Sequence, residues 1–342
     1  MTTVALDGRG ADQGPDVIVA GARAAAADGI ALRVFGDSQQ LSGLAGAENI
    51  QVIEAAAAIS NDDDPVAAVR GTPGASVVRA AADVAAGRSD AIASAGSTGA
   101  TMTAALFALK RMRGVRRPAL ALQLAAPGRT GPPCVLLDVG ANTENHAGDL
   151  VQFAYLGSAF SQAVLGVERP RVALLSIGEE SKKGALEVVA AHEALSQVDT
   201  IAFHGNVEGR DLLGDAADVI VTDGFTGNVA LKTIEGTART VAAAVGAAAR
   251  SNPIAAVGGV LLRRALDGLR REMDPDAYGG AILLGLRGVA VVGHGNSGEL
   301  GIANAIRLAA RAVEQEAVQR TTTLLEDSGA TRAAMRDKEE GR

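Results

Sequence analysis

Asn228 and Lys232 stand four residues apart, one helical turn, just behind the run Val219-Ile220-Val221-Thr222-Asp223-Gly224-Phe225-Thr226-Gly227. The apolar, β-branched start reads as a buried strand; Asp223 and Gly224 break it; Thr226 and Gly227 open a helical pattern reaching about residue 249. An amide and an ammonium group on one helix face, beside the unpaired N–H groups of the first turn, suit an anion. The competing reading is an ordinary helix cap with a solvated lysine.

The same arrangement of strand, small polar turn and helix recurs along the chain. After a strand at 90–94, Ser97 and Thr98 either bond a phosphate or cap their helix. A strand at 134–137 ends in Asp138-Val139-Gly140-Ala141-Asn142. Another, at 171–177, is closed by Gly178-Glu179-Glu180-Ser181-Lys182-Lys183-Gly184, whose charges form surface ion pairs or place one cation at a strand's carboxyl end. A strand at 200–203 leads into the polar turn Gly205-Asn206-Val207-Glu208-Gly209-Arg210-Asp211.

Gly293-His294-Gly295-Asn296-Ser297-Gly298 spells G-x-G-x-x-G, yet only one helix follows it and no strand to carry a ribose-binding acid, which argues against a dinucleotide. His294 is either a site residue or a turn histidine. The first turn, 7–15, brings two carboxylates and three glycines together with the glycines one residue too wide for that fingerprint. Asp62-Asp63-Asp64 lacks the glycine and distal glutamate of a calcium loop and reads as a solvated helix start. No metal and no cofactor is expected.

Positioning these turns requires alternating strands and helices. That alternation predicts one α/β catalytic domain over residues 1–320, a three-layer α/β/α architecture with a mostly parallel sheet and a cleft along the strand ends. The helix at about 149–165 is expected to be amphipathic. With 342 residues and 48% apolar residues, the chain is long enough for a sizeable core. Aromatics make up 2% and the net charge is −7, which argues against nucleic acid as a partner. The lone Cys134 excludes an internal disulfide and suits a reducing cytoplasm. No signal core precedes the first strand, and every apolar run stops short of the roughly 20 residues that span a bilayer.

Residues 251–273 differ in character. Leu262, Leu266 and Leu269 share a helical face, Leu261 and Leu262 end an apolar tip, and Arg263, Arg264, Arg270 and Arg271 lie elsewhere. Such a protruding basic amphipathic segment fits an anionic membrane, an acidic partner, another subunit, or a packed helix with solvated arginines. From 321 to 342 the chain is charged and reads as a disordered tail.

Asp138–Asn142, Gly205–Asp211, Asp223–Asn228 and Tyr278-Gly279-Gly280-Ala281, in this order and spacing, resemble the bacterial acyl-carrier-protein:phosphate acyltransferases of phospholipid synthesis, from about residue 4 to 315. The resemblance implies a fold similar to phosphate acetyltransferase and isopropylmalate dehydrogenase, a homodimer, and a cytoplasmic enzyme peripherally associated with the membrane. It also implies a reaction, acyl-ACP plus inorganic phosphate giving acyl phosphate and free acyl carrier protein, which would supply a membrane glycerol-3-phosphate acyltransferase. Lys183 and Asn228 are then the catalytic candidates, the lysine for phosphate and the amide for the oxyanion. Ser97, Thr98, Asn142, Asn206, Arg210, Lys232 and His294 would complete the substrate site, with Asp138, Glu208 and Asp223 orienting it.

This sequence departs from the family pattern at Arg9, Ala11 and Gln13 in the first turn, at Asn145-His146-Ala147, at Ala185-Leu186 and at Ser97. Rival readings are a short-chain phosphotransacetylase using acyl-CoA, a decarboxylating dehydrogenase of the same architecture, and a non-catalytic membrane scaffold.

Overall fold

The computed structural model describes residues 1–331 and 333 except 56, 125, 127, 128, 130, 273 and 274; along 263–272 and at 275 it describes the backbone alone. The chain begins β1 (Thr3–Asp7), α1 (Pro15–Ala27), β2 (Ala31–Gly36), β3 (Ile50–Glu54), α2 (Pro65–Gly71), α3 (Ser76–Ala85), β4 (Ala91–Ser94) and α4 (Thr98–Leu109). It continues through β5 (Ala119–Leu124), β6 (Cys134–Leu137), α5 (Ala147–Leu165), β7 (Arg171–Leu175), α6 (Leu186–Leu195), β8 (Ala202–Val207) and β9 (Val219–Val221). The last elements are α7 (Gly224–Ala249), α8 (Pro253–Glu272), β10 (Ala281–Leu284), β11 (Val289–Val292), α9 (Glu299–Glu314) and α10 (Ala317–Asp327).

Among the described residues the strands form one sheet in the order β3-β2-β1-β4-β11-β10-β5-β6-β9-β7-β8. Seven of its ten neighbouring pairs are parallel. The three antiparallel pairs, β11–β10, β10–β5 and β5–β6, fall together at the centre. The block from β3 to β11 therefore points its carboxyl ends one way and the block from β6 to β8 points them the other. A cleft running along one row of strand ends is thus ruled out; the polar turns of the two blocks approach one another only across the face of the central strands.

Alternation along each strand feeds two cores. Val4, Leu6, Val135, Leu137, Val289 and Val291 face the layer of α1, α5, α6, α9 and α10. Ala5, Leu136, Ala290, Val292 and Leu283 face the layer of α2, α3 and α4, with the root of α7. Cys134 belongs to the second core, where burial pushes its thiol up to about 12.

Three elements differ from the sequence reading. Helix α5 is buried nearly all round rather than amphipathic, because it lies between the sheet and both α6 and α10. Its polar side chains are absorbed internally: Gln152 donates to Gly114 O and Ala330 O, and the Tyr155 hydroxyl pairs with Thr200. Residues 321–327 complete α10, with Thr321 and Leu325 buried; the tail reading fails there because sparse apolar positions are enough to dock a helix on α5. Strand β8 runs on through Asn206 and Val207 at the sheet edge, accommodating Gly205 at φ 108° with a register shift opposite Val172 and Ala173.

Helices α7 and α8 form a hairpin of which only the root, Gly224 and Gly227, is buried among the described side chains of α7. Val241, Val245, Ile254, Val257, Val260, Leu261 and Leu262 are exposed along it. The side chains of Arg263, Arg264, Arg270 and Arg271 lie outside the described residues.

Candidate active site

Asp138, fully buried at the end of β6, organises the turn behind it. Its Oδ1 accepts from the N–H groups of Leu120, Gly140 and Ala141 at 3.0, 3.1 and 2.8 Å. Its Oδ2 accepts from Asn142 N and Asn142 Nδ2 at 2.9 and 2.8 Å. Burial pushes this carboxyl above the ordinary range, and the same donors oppose the push. Asn142 also donates to Pro118 O at 2.8 Å, so its amide is spent on holding the turn.

The N-terminus of α7 presses against this turn. Asp223 caps the helix by accepting from Thr226 N at 2.8 Å. A Cβ on Gly224 would lie 2.2 Å from Asn142 O, and one on Gly227 only 1.9 Å from Asp138 O, so both positions require glycine. The same approach sets the exposed Asn228 over Gly140, whose φ of 130° also demands glycine. Among the described residues the Asn228 amide has no hydrogen-bonding partner. Nearby, Asn145 Oδ1 accepts from Gly224 N at 3.3 Å while its Nδ2 is buried with no partner among the described residues.

Asn228 opens onto a cleft of about 700 Å³ over the face of β5. Lys232, Leu231, Ile234 and Arg239 of α7 form one wall, Thr98 and the His294 turn the opposite end, and Leu120, Leu122 and Leu124 the floor. Lys232 is paired with Glu235 at 2.8 Å. Ser97 caps α4 through a long 3.4 Å bond from Ala100 N, and His294 Nδ1 accepts from Asn296 N at 3.2 Å. Four residues singled out in the sequence, Asn228, Lys232, Thr98 and His294, therefore share one cavity.

Lys183, Asn206, Glu208 and Arg210 form a second group, at the carboxyl ends of β7 and β8. The loop after β7 folds back so that Ser176 Oγ donates to Lys183 O at 2.9 Å. Asn206 Nδ2 donates to Glu180 O at 2.9 Å, and its Oδ1 meets His192 Nδ1 at 2.9 Å. Asn206 is thus a clamp on the loop carrying Lys183. Arg210 is ringed by Glu179 and Glu208, each at 3.0 Å, and by Asp211 at 4.0 Å, which neutralises the charge expected to attract an anion. Lys183 is exposed and among the described residues holds no ion pair, but it does not line the cleft of Asn228.

The sequence reading noted Asp7 only as one of two carboxylates in the first turn and passed over two further features. Asp7, buried at the end of β1, accepts from Ser76 Oγ, Ser94 Oγ and Arg9 N and ties the first turn to the α4 turn. His192 supports Asn206 from a helix with no visible motif. A second cavity of about 650 Å³, adjoining Asn142, is lined by Arg111, Arg116 and Arg117; the run Lys110-Arg111-Met112-Arg113-Gly114-Val115-Arg116-Arg117 was a signal that could have found it.

A family model described as "Fatty acid synthesis protein" matches residues 2–320. The chain is 43% identical to a phosphate acyltransferase of Thermobifida fusca over 90% of its length and 86% of the relative's. It is 43% identical to the phosphate acyltransferase of Lactococcus lactis subsp. lactis, covering 92% and 95% of the two chains. For the enzyme of that name from Lactococcus lactis subsp. cremoris, the match is 47% identical but spans 63% of this chain and 65% of the relative.

Among solved structures, a phosphotransacetylase from Streptococcus pyogenes superposes with a TM-score of 0.61 at 19% identity, over 92% and 94% of the chains. EutD phosphotransacetylase from Staphylococcus aureus gives 0.59 at 19% identity, over 91% and 94%. Those likenesses fix the fold. The family match and the near full-length relatives fix the kinship: this chain belongs to the fatty acid synthesis protein family and stands within it among the acyltransferases named phosphate acyltransferase.

Proposed function

We propose that the protein transfers a fatty acyl group from acyl carrier protein to inorganic phosphate. A phosphate oxygen attacks the thioester carbonyl, a tetrahedral oxyanion forms, the C–S bond breaks, and the carrier thiolate departs to take up a proton. Acyl phosphate and free carrier are the products. Phosphate is itself the nucleophile, so the chemistry requires positioning and charge stabilisation rather than a serine or cysteine triad. Acyl phosphate would then serve a membrane glycerol-3-phosphate acyltransferase in phospholipid synthesis.

The observation that carries this reading is the Asn228 amide, held by an obligatory glycine contact at a helix N-terminus, without a partner among the described residues, and open to a cleft with an apolar floor. Asn145 Nδ2, buried at the same helix N-terminus, is a second amide donor with no partner among the described residues. Lys183 reaches the phosphate when its loop, clamped by Asn206, bends toward the Asp223 turn. The exposed apolar hairpin is the surface for an anionic membrane and for the second subunit of a homodimer, on the cytoplasmic side.

The test is phosphate-dependent loss of acyl-ACP thioester with purified protein, run in parallel with acetyl-CoA. Acyl-ACP is the expected donor; preference for acetyl-CoA would favour the short-chain phosphotransacetylase. Asn228→Ala and Lys183→Ala each lower turnover by about 10²–10³-fold without unfolding the protein. Near-normal acyl phosphate formation by either variant removes that residue from its role.

A further inference from the structure

The arginine-lined cavity and the Asn228 cleft are built on the same elements. Three elements pass from one to the other on the same face: α4 supplies Thr98 to the cleft and Met102, Thr103 and Leu106 to the cavity. On β10, Ala281 lines the first and Leu283 the second; ahead of and along β5, Pro118 lines the cavity and Leu120 and Leu122 the cleft. Asn142, which borders the cavity, stands two residues beyond the Gly140 that carries Asn228. Along these elements an apolar floor beneath Asn228 gives way to a cationic mouth.

That mouth carries unspent charge. Arg116 Nε donates to Asp149 Oδ1 at 2.9 Å, and Arg117 lies 3.8 Å from the other oxygen of the same buried carboxylate. The Arg111 guanidinium donates to the Arg116 carbonyl. Three guanidinium groups facing one carboxylate leave two positive charges at the opening. Lys110, Arg113 and Arg287 are exposed on the segments beside them, in a chain whose net charge is −7. Local reversal of the overall sign selects for an anionic partner.

We propose that the two cavities act as one groove that receives the phosphopantetheine arm of acyl carrier protein. The phosphodiester rests at Arg111, Arg116 and Arg117, and the acidic surface of the carrier faces the outer cations. The arm passes Met102, Leu106, Pro118 and Leu283 to bring the thioester to Asn228, and the acyl chain continues over Leu120 and Leu122. This inference rests on the acyl-transfer reading above and adds the route by which the donor enters.

Calorimetric titration with holo-carrier, which bears the arm, and apo-carrier, which lacks it, tests the route without relying on turnover. The wild-type protein is expected to bind holo-carrier about tenfold more tightly than apo-carrier, and the doubly substituted Arg111→Glu, Arg117→Glu protein to lose about tenfold for the holo form. Met102→Trp, which fills the groove, should erase the difference between the two carriers. Arg111→Gln with Arg117→Gln provides a milder pair should charge reversal impair folding.

In turnover, the arginine variants should lose about ten times more kcat/KM on acyl-ACP than on acyl-pantetheine, which carries no phosphate. Equal wild-type affinity for holo- and apo-carrier overturns the proposal, as do equal losses on the two thioesters. A wild-type protein that prefers holo-carrier yet catalyses no phosphorolysis would defeat the acyl-transfer reading while leaving this docking route intact.

Discussion

At the scale of single residues, the contact of Gly227 with the Asp138 carbonyl decides where Asn228 points. Alanine ordinarily favours a helix by about 1 kcal/mol over glycine. Here its methyl would overlap the Asp138 oxygen, and the expectation reverses: Gly227→Ala destabilises by roughly 3 kcal/mol and costs at least tenfold in turnover. Thermal unfolding and the thioester assay check this together; a stabilised, active variant would mean that α7 can shift freely. Residue types at the turns were legible because strand, break and helix leave a pattern in sequence. Which polar atoms stay available was not. Asn142, Asn206 and Arg210 have the chemistry of ligands, yet their donors are consumed by Pro118, Glu180 and neighbouring carboxylates, and such pairings depend on segments distant in sequence.

Among elements, α5 shows where periodicity runs out. A helix buried on every side has no polar stripe, so its pattern cannot separate sheet-facing from helix-facing positions. The cost of opening it is nonetheless large. Phe153→Ala is expected to remove about 3–5 kcal/mol, read from denaturant unfolding, because the ring is fully buried between the sheet and the outer helices. A loss below 1 kcal/mol would show that this core collapses around the void. The reversal of strand direction at β10 and β5 was equally hidden, since an antiparallel central strand flanked by helices has the same apolar run as a parallel one. Strand and helix identities follow from local chemistry; the relative direction of the two sheet blocks follows from connections between them.

Over the whole molecule, the clasp at Asp218 joins the amino ends of β6, β7 and β9. Burial alone would raise its carboxyl, but hydrogen bonds from the Arg171 side chain and backbone, with the charge of Arg129, hold it below the ordinary range. A depressed folded value contributes stability above the unfolded pKa of about 3.9, and that contribution is lost as pH falls through the folded value. Asp218→Asn should therefore cost about 2 kcal/mol at neutral pH, with the difference from wild type closing in acid. Labelling of the buried Cys134 thiol reports the unfolded fraction in both proteins. A pH-independent difference would show that the clasp acts by shape rather than charge. For the hairpin, Leu261→Glu with Leu262→Glu is expected to abolish flotation with anionic liposomes, whereas unchanged flotation would reject lipid contact there.

Helix α7 is continuous from the glycine root to residue 249, so its far end stands about 32 Å from Asn228. A straight rod of that length transmits orientation as well as distance. Whatever holds the far end sets the height and tilt at which the Asn228 amide hangs over its cleft.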